Sequence, residues 1–349
     1  MAAGGNYTSK KEPKPNPGNL LKMLYQELDE GNFKRAYLIY GEESYLIRQC
    51  KDRLKEKLLN GGSDMNFTLY QGKDISVGEV IDQAETMPFL AERRVILLER
   101  TGLCKSGGDE LAEYIKDIPE TTSIIMAEEE MDKRSKLYKA FDKYGKCLEL
   151  CRMDDRGLAA WVAGRVKKNG MQMTGGAYEL FRESVGEDME LMDKELDKLI
   201  CYCMGRDAIL EEDVKAICTR QITSEIFKLT DALVSGNRKA VMQRYYDMVE
   251  MQESPMYILT MLTRQFRLML ETKDLLQNDF DKSGVMSKMG MGPYQADIYI
   301  RQSRGFSREY LERAFKDCVE TDYRIKSGLV DMSMGVELLL VKYSSPKAR

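Results

Sequence analysis

Apolar residues follow two regimes along this chain. Between about residues 20 and 150, short continuous apolar runs alternate with stretches in which apolar residues recur every three or four positions. Continuous runs bounded by polar residues predict strands buried on both faces, and the three-four recurrence predicts amphipathic helices. Strands are therefore expected at 36–40, 66–70, 95–98, 123–127 and 146–150, and helices at 20–29, 44–59, 77–86, around 111–115 and at 134–144. Strands that alternate with helices predict an α/β layer, a largely parallel sheet with helices on both faces.

Beyond residue 156 the strand-like runs stop. Leu158, Val162 and Val166 recur every four positions, and Met189, Met192, Leu196, Leu199 and Cys203 share one helical face between breaks at Gly186 and Gly205. A short helix ending near Cys218 completes a small helical unit. From 219 onward the predicted helices are 226–234, 239–251, 255–276, 294–303, 307–326 and 332–343. Pro255 suits a first-turn position, Ser307 an N-cap, and Gly284, Gly290 and Gly292 predict a break over 284–292. The expected organisation is a flexible tail over 1–18, an α/β domain over 19–152, and two all-α domains over 153–218 and 219–345.

One junction stands apart. In "ETMPFLAERRVILLE" (85–99), the run 95–98 reads as a buried strand, and Pro88 is expected to stop the preceding helix. Phe89 and Leu90 then fall at a breakpoint between elements. By themselves these residues admit two readings: a cap on the core, where large apolar side chains usually belong, or an anchor projecting from a rigid end. Arg93 and Arg94 read as a charged approach to the strand.

Composition narrows the chemistry. The chain has no histidine, which removes Ser-His, Cys-His and His-zinc mechanisms. Its 8 cysteines make no paired C-x-x-C framework and read as reduced core residues, so no metal site is expected. A net charge of −4 gives no bulk signal for nucleic acid. No apolar stretch is long enough to cross a membrane, and residues 1–18 lack the apolar core of a signal peptide. A cytoplasmic protein with no membrane partner is expected. The 23 methionines read as core filler.

The turn after the first strand occupies the place of a phosphate loop, but Gly41 is followed by Glu42, Glu43 and Ser44. There is no second glycine and no lysine, and two carboxylates stand where phosphates would lie. These four positions are expected not to bind nucleotide. The acidic run 128–130 after the fourth strand reads as solvated charge. The expectation is a motor-ATPase architecture without the motor chemistry: no catalytic residue and no cofactor.

Six segments in order, "YLIYGEESYLI", "PFLAERRVILL", "KELDKLICY", "IFKLTDAL", "ILTMLTRQFRLML" and "TDYRIKSG", carry a family resemblance over residues 20–343. The chain resembles the delta subunits of the bacterial DNA polymerase III clamp loader. The resemblance implies an AAA+-like first domain that has lost its phosphate loop, a helical lid and a helical collar. It implies a subunit that grips the ring-shaped sliding clamp (the beta subunit) and helps to open it for loading onto primed DNA. ATP is then hydrolysed only by siblings, and the other partners are gamma/tau and delta-prime type subunits. The clamp-binding residues it implies are Met87, Pro88, Phe89 and Leu90; family members usually carry Leu-Phe where this chain has Phe-Leu. At the last strand, Gly145, Lys146 and Cys147 stand where sibling motor subunits carry Ser-Arg-Cys, and lysine lacks the planar fork that clamps a γ-phosphate. In the collar, Asp322 and Lys326 read as an intrahelical pair. Two readings compete: an AAA+ ATPase with a divergent nucleotide site, and a helical adaptor outside replication.

Overall fold

The computed structural model describes residues 16–218 and 222–344. The chain divides into two compact units, Met1–Gly157 and Leu158–Arg349. Residues 1–15 of the expected tail lie outside the described residues. Pro17 and Gly18, also assigned to that tail, instead form the first turn of a helix. Asn16 caps that turn by accepting from the Gly18 N–H at 2.8 Å, and Pro17 suits the first helical position because it has no N–H to leave unpaired.

The first unit runs α1 (Pro17–Asp29), β1 (Ala36–Tyr40), α2 (Ser44–Leu59), β2 (Phe67–Gln71), α3 (Val77–Glu85), β3 (Arg94–Glu99), α4 (Asp109–Tyr114), β4 (Thr122–Glu128), α5 (Lys136–Tyr144) and β5 (Lys146–Glu149). All five strands are parallel, in the order β2-β3-β4-β1-β5. β1 and β4 are buried along their whole length, as their unbroken apolar runs require. Ala36, Leu38, Tyr40, Ile96, Leu98, Ile124 and Met126 face a core filled by α3, α4 and α5. Side chains of opposite parity face the other way, where α2 packs on β1, β3 and β4 and α1 packs on α2.

The second unit contains α6 (Asp155–Lys168), which starts just before the division, β6 (Gln172–Met173), α7 (Gly175–Val185), α8 (Met189–Tyr202), β7 (Ala208–Ile209), α9 (Glu211–Ile217) and α10 (Ile222–Ser235). It continues through α11 (Arg238–Glu250), α12 (Pro255–Gln277), α13 (Lys282–Met289), α14 (Pro293–Arg304), α15 (Arg308–Lys326) and α16 (Met332–Tyr343). One apolar core joins α10, α11, α12, α14, α15 and α16. Asp322 and Lys326 form the expected i,i+4 contact at 2.8 Å, a kind of exposed pair that contributes only ~0.3–0.5 kcal/mol.

Three local expectations fail here. Strands do not stop at 156: β6 and β7 pair in parallel over two residues each, too short to leave an apolar run. α7 has no helical signal at its start because it opens on two glycines. Thr174 compensates by accepting from the Ala177 N–H at 3.2 Å, and Phe181 and Val185 are buried. The break expected over 284–292 is shorter, because α13 runs through Gly284 and ends at Gly290, which adopts the left-handed conformation (φ 63°).

Glu128 also departs from expectation. It belongs to the acidic run read as solvated, yet it is buried. Its carboxylate accepts from the Thr101 N–H at 2.8 Å, the Thr101 hydroxyl at 2.6 Å and the Gly102 N–H at 3.3 Å. It therefore locks the turn that follows β3. Glu129 and Glu130 fit the solvated reading, with Arg100 and Lys105 as exposed partners. Glu128→Ala strands those donors and is expected to lower unfolding free energy by roughly 1.5–3 kcal/mol in urea denaturation, whereas Glu129→Ala changes it by less than about 0.5.

Candidate protein-docking site

The segment between α3 and β3 is built from buried polar groups inside and apolar groups outside. Ser76 caps α3 by accepting from the Glu79 N–H at 3.3 Å, and Val80 and Ala84 seat the helix on the sheet. The helix ends at Glu85, with Thr86 already extended (φ −73°, ψ 124°). Its last carbonyls are satisfied by side chains: the Thr86 hydroxyl donates to the Asp82 carbonyl at 3.0 Å, and the buried Thr122 hydroxyl donates to that of Ala84 at 2.9 Å. Pro88 therefore does not itself stop the helix, which ends three residues earlier. Pro88 restricts Met87 to extended backbone and so prevents any continuation.

Two side chains hold the backbone that follows. Arg94 opens β3, as its reading as a charged approach to the strand expects, and it is buried. Its Nε donates to the Thr86 carbonyl at 2.9 Å and its Nη2 to the Met87 carbonyl at 3.2 Å. Asn66, fully buried at the end of the short turn Asp64–Asn66, grips Phe89 from both sides. Its Nδ2 donates to the Phe89 carbonyl at 2.9 Å, and its Oδ1 accepts from the Phe89 N–H at 2.6 Å. Leu90 adopts a left-handed backbone (φ 49°), which costs a non-glycine residue roughly 1–2 kcal/mol.

The polar backbone is thus fixed from inside while the side chains point out. Met87 is 81% exposed, Phe89 54% and Leu90 91%; Pro88 is half-buried between them. Of the two readings open in the sequence, the core cap fails. Asn66 and Arg94 were not legible as site residues. The available signal was an uncharged amide at a strand entrance and an arginine opening an otherwise apolar strand.

The four loop positions 41–44 lie at the opposite end of β1 from its first residue. Gly41 has φ 141°, and a Cβ there would stand 2.3 Å from the Leu150 carbonyl oxygen, so only glycine fits. The Glu43 N–H donates to that same carbonyl at 3.0 Å, so this donor is already committed. Ser44 is the first residue of α2, and Glu42 lines an open groove with Glu129, Glu130, Lys133 and Glu149. Lys146 pairs with Glu27 of α1. Gly145 lies so close to β1 that a Cβ would stand 2.4 Å from the Ala36 carbonyl oxygen. Among the described residues no cluster of His, Cys, Asp or Glu is arranged to hold a metal ion. Burial pushes the Cys50, Cys104, Cys218 and Cys318 thiols up to about 12, which leaves them inert at neutral pH. No helix among the described residues is long and apolar enough to cross a membrane.

Comparison with known proteins bears directly on this architecture. The family model "DNA polymerase III, delta subunit" matches residues 37–150, and "DNA polymerase III delta subunit, C-terminal domain" matches 223–343; together they span more than half of the chain. The DNA polymerase III subunit delta of Bacillus subtilis is 26% identical over 331 residues, covering 91% of this chain and 95% of that protein. The probable DNA polymerase III subunit delta of Aquifex aeolicus is 21% identical over 271 residues, covering 74% and 76%. Among solved structures, the Bacillus subtilis DNA clamp loader delta protein shares the fold, with a TM-score of 0.81 at 24% identity, over 93% of this chain and 99% of that one. A parallel α/β unit followed by helices, matched by both delta-subunit family models, places the chain in the DNA polymerase III delta subunit family.

Proposed function

We propose that this chain grips a ring-shaped sliding clamp through Met87, Pro88, Phe89 and Leu90 and helps to open it for loading onto primed DNA, without binding ATP itself. One observation carries the reading: exposed Phe89 and Leu90 sit on backbone that Asn66 and Arg94 hold from inside. A pinned apolar pair enters a pocket without a large ordering cost, which is what an anchor residue needs. Burying a Phe and a Leu contributes roughly 3–6 kcal/mol before association costs, enough for a grip that must also release.

The nucleotide side of the proposal rests on the loop. Glu42 and Glu43 replace the phosphate-binding residues, the Glu43 N–H is committed to Leu150, and Lys146 is committed to Glu27. We assign residues 153–218 to a lid and 219–345 to a collar that joins gamma/tau and delta-prime type subunits around DNA, in the cytoplasm.

Phe89→Ala combined with Leu90→Ala is expected to weaken clamp binding about a hundredfold or more by surface plasmon resonance, with an unchanged melting temperature because both side chains are exposed. Wild-type affinity in a folded double variant would sink the assignment. Asn66→Ala is expected to lose affinity and also roughly 1–3 kcal/mol of stability, since it strands the Phe89 N–H and carbonyl. Titration with a fluorescent ATP analogue is expected to show no saturable binding at micromolar concentrations; a saturable site there would favour the ATPase reading.

A further inference from the structure

The sheet ends on β2, and this edge is unusually open. The Gly72 N–H donates to the Glu99 carbonyl at 3.1 Å, so Gly72 directs its backbone groups toward β3. In a parallel ladder this direction alternates residue by residue, which places Thr68 and Tyr70 on the β3 side as well. The N–H and C=O of Leu69 and Gln71 then face outward, and among the described residues nothing pairs with them.

Exposed edges are normally blunted by charge, proline or a bulge. The strand "FTLYQ" contains none of these in its five residues. Leu69 is 47% exposed, and Met65, just before the strand, is 65% exposed. The charges nearest in sequence, Asp64, Lys73 and Asp74, lie outside the strand, and the Lys55 ammonium lies over the Phe67 ring, 3.7 Å from its centroid.

The edge is also continuous with the docking site. Asn66 immediately precedes β2, and its side chain is the clamp on the Phe89 backbone. Strand and tip therefore form one rigid surface, so a partner that takes up Phe89 and Leu90 brings its own surface alongside β2. We propose that the same partner adds an extended segment to the open edge of β2, pairing with the backbone of Leu69 and Gln71 and placing an apolar side chain against Leu69. This inference rests on the proposed clamp-binding reading and extends that site from a plug to a plug plus a strand. Main-chain pairing supplies affinity that does not depend on side-chain identity, and alternate side chains supply selectivity.

Hydrogen–deuterium exchange of the full chain, with and without the sliding clamp, tests it. Amides of Leu69 and Gln71 are expected to exchange freely in the isolated chain and to become protected in the complex, together with residues 86–91. Protection confined to 86–91 overturns the strand and leaves the plug standing; absence of any clamp binding overturns both. Leu69→Pro removes an outward N–H without breaking a ladder bond and is expected to weaken binding about tenfold. Leu69→Lys, which keeps the N–H but adds charge to the edge, serves where the proline variant fails to fold. Wild-type affinity together with unprotected β2 amides would refute the proposal.

Discussion

The Asn66 side chain bonded to both polar groups of Phe89 is the contact on which the candidate site depends. It closes two demands with one residue. A backbone turning out of a helix exposes donors and acceptors that need partners, and a docking tip needs a fixed position. Asn66 meets both from a fully buried place, and Arg94 does the same for Thr86 and Met87. With the backbone satisfied from inside, the side chains are free to face out. The left-handed turn at Leu90 is tolerated because its neighbour is held on both sides.

Elsewhere in the first unit, residues in and beside the strand-end turns hold structural contacts. Glu128, at the end of β4, binds the turn after β3 instead of lying in solvent. Gly41 and Glu43 are stitched to Leu150, and Lys146 is tied to Glu27.

Regular elements were the most legible part of the chain. All five strands of the first unit lie within a residue or two of the expected ranges, and in β1, β3 and β4 burial on both faces forces the apolar runs that mark them. α2 follows its apolar recurrence from Ser44 to Leu59. α7 and the β6–β7 pair were not legible. The helix depends on the Thr174 cap and on tertiary burial of Phe181, and the strands are too short to carry a period.

The candidate site divides in the same way. The sequence by itself determined that apolar residues stand at a breakpoint before a buried strand, and that the loop at 41–44 lacks phosphate-binding groups, because both are matters of residue type and spacing. Only the tertiary structure decided that Met87, Phe89 and Leu90 face outward, and that Asn66, Arg94 and Glu128 are buried and bonded. The physical reason is distance along the chain. Asn66 lies 23 residues from Phe89 and Glu128 lies 27 from Thr101, and no local pattern records a hydrogen bond that forms only when the sheet brings such residues together.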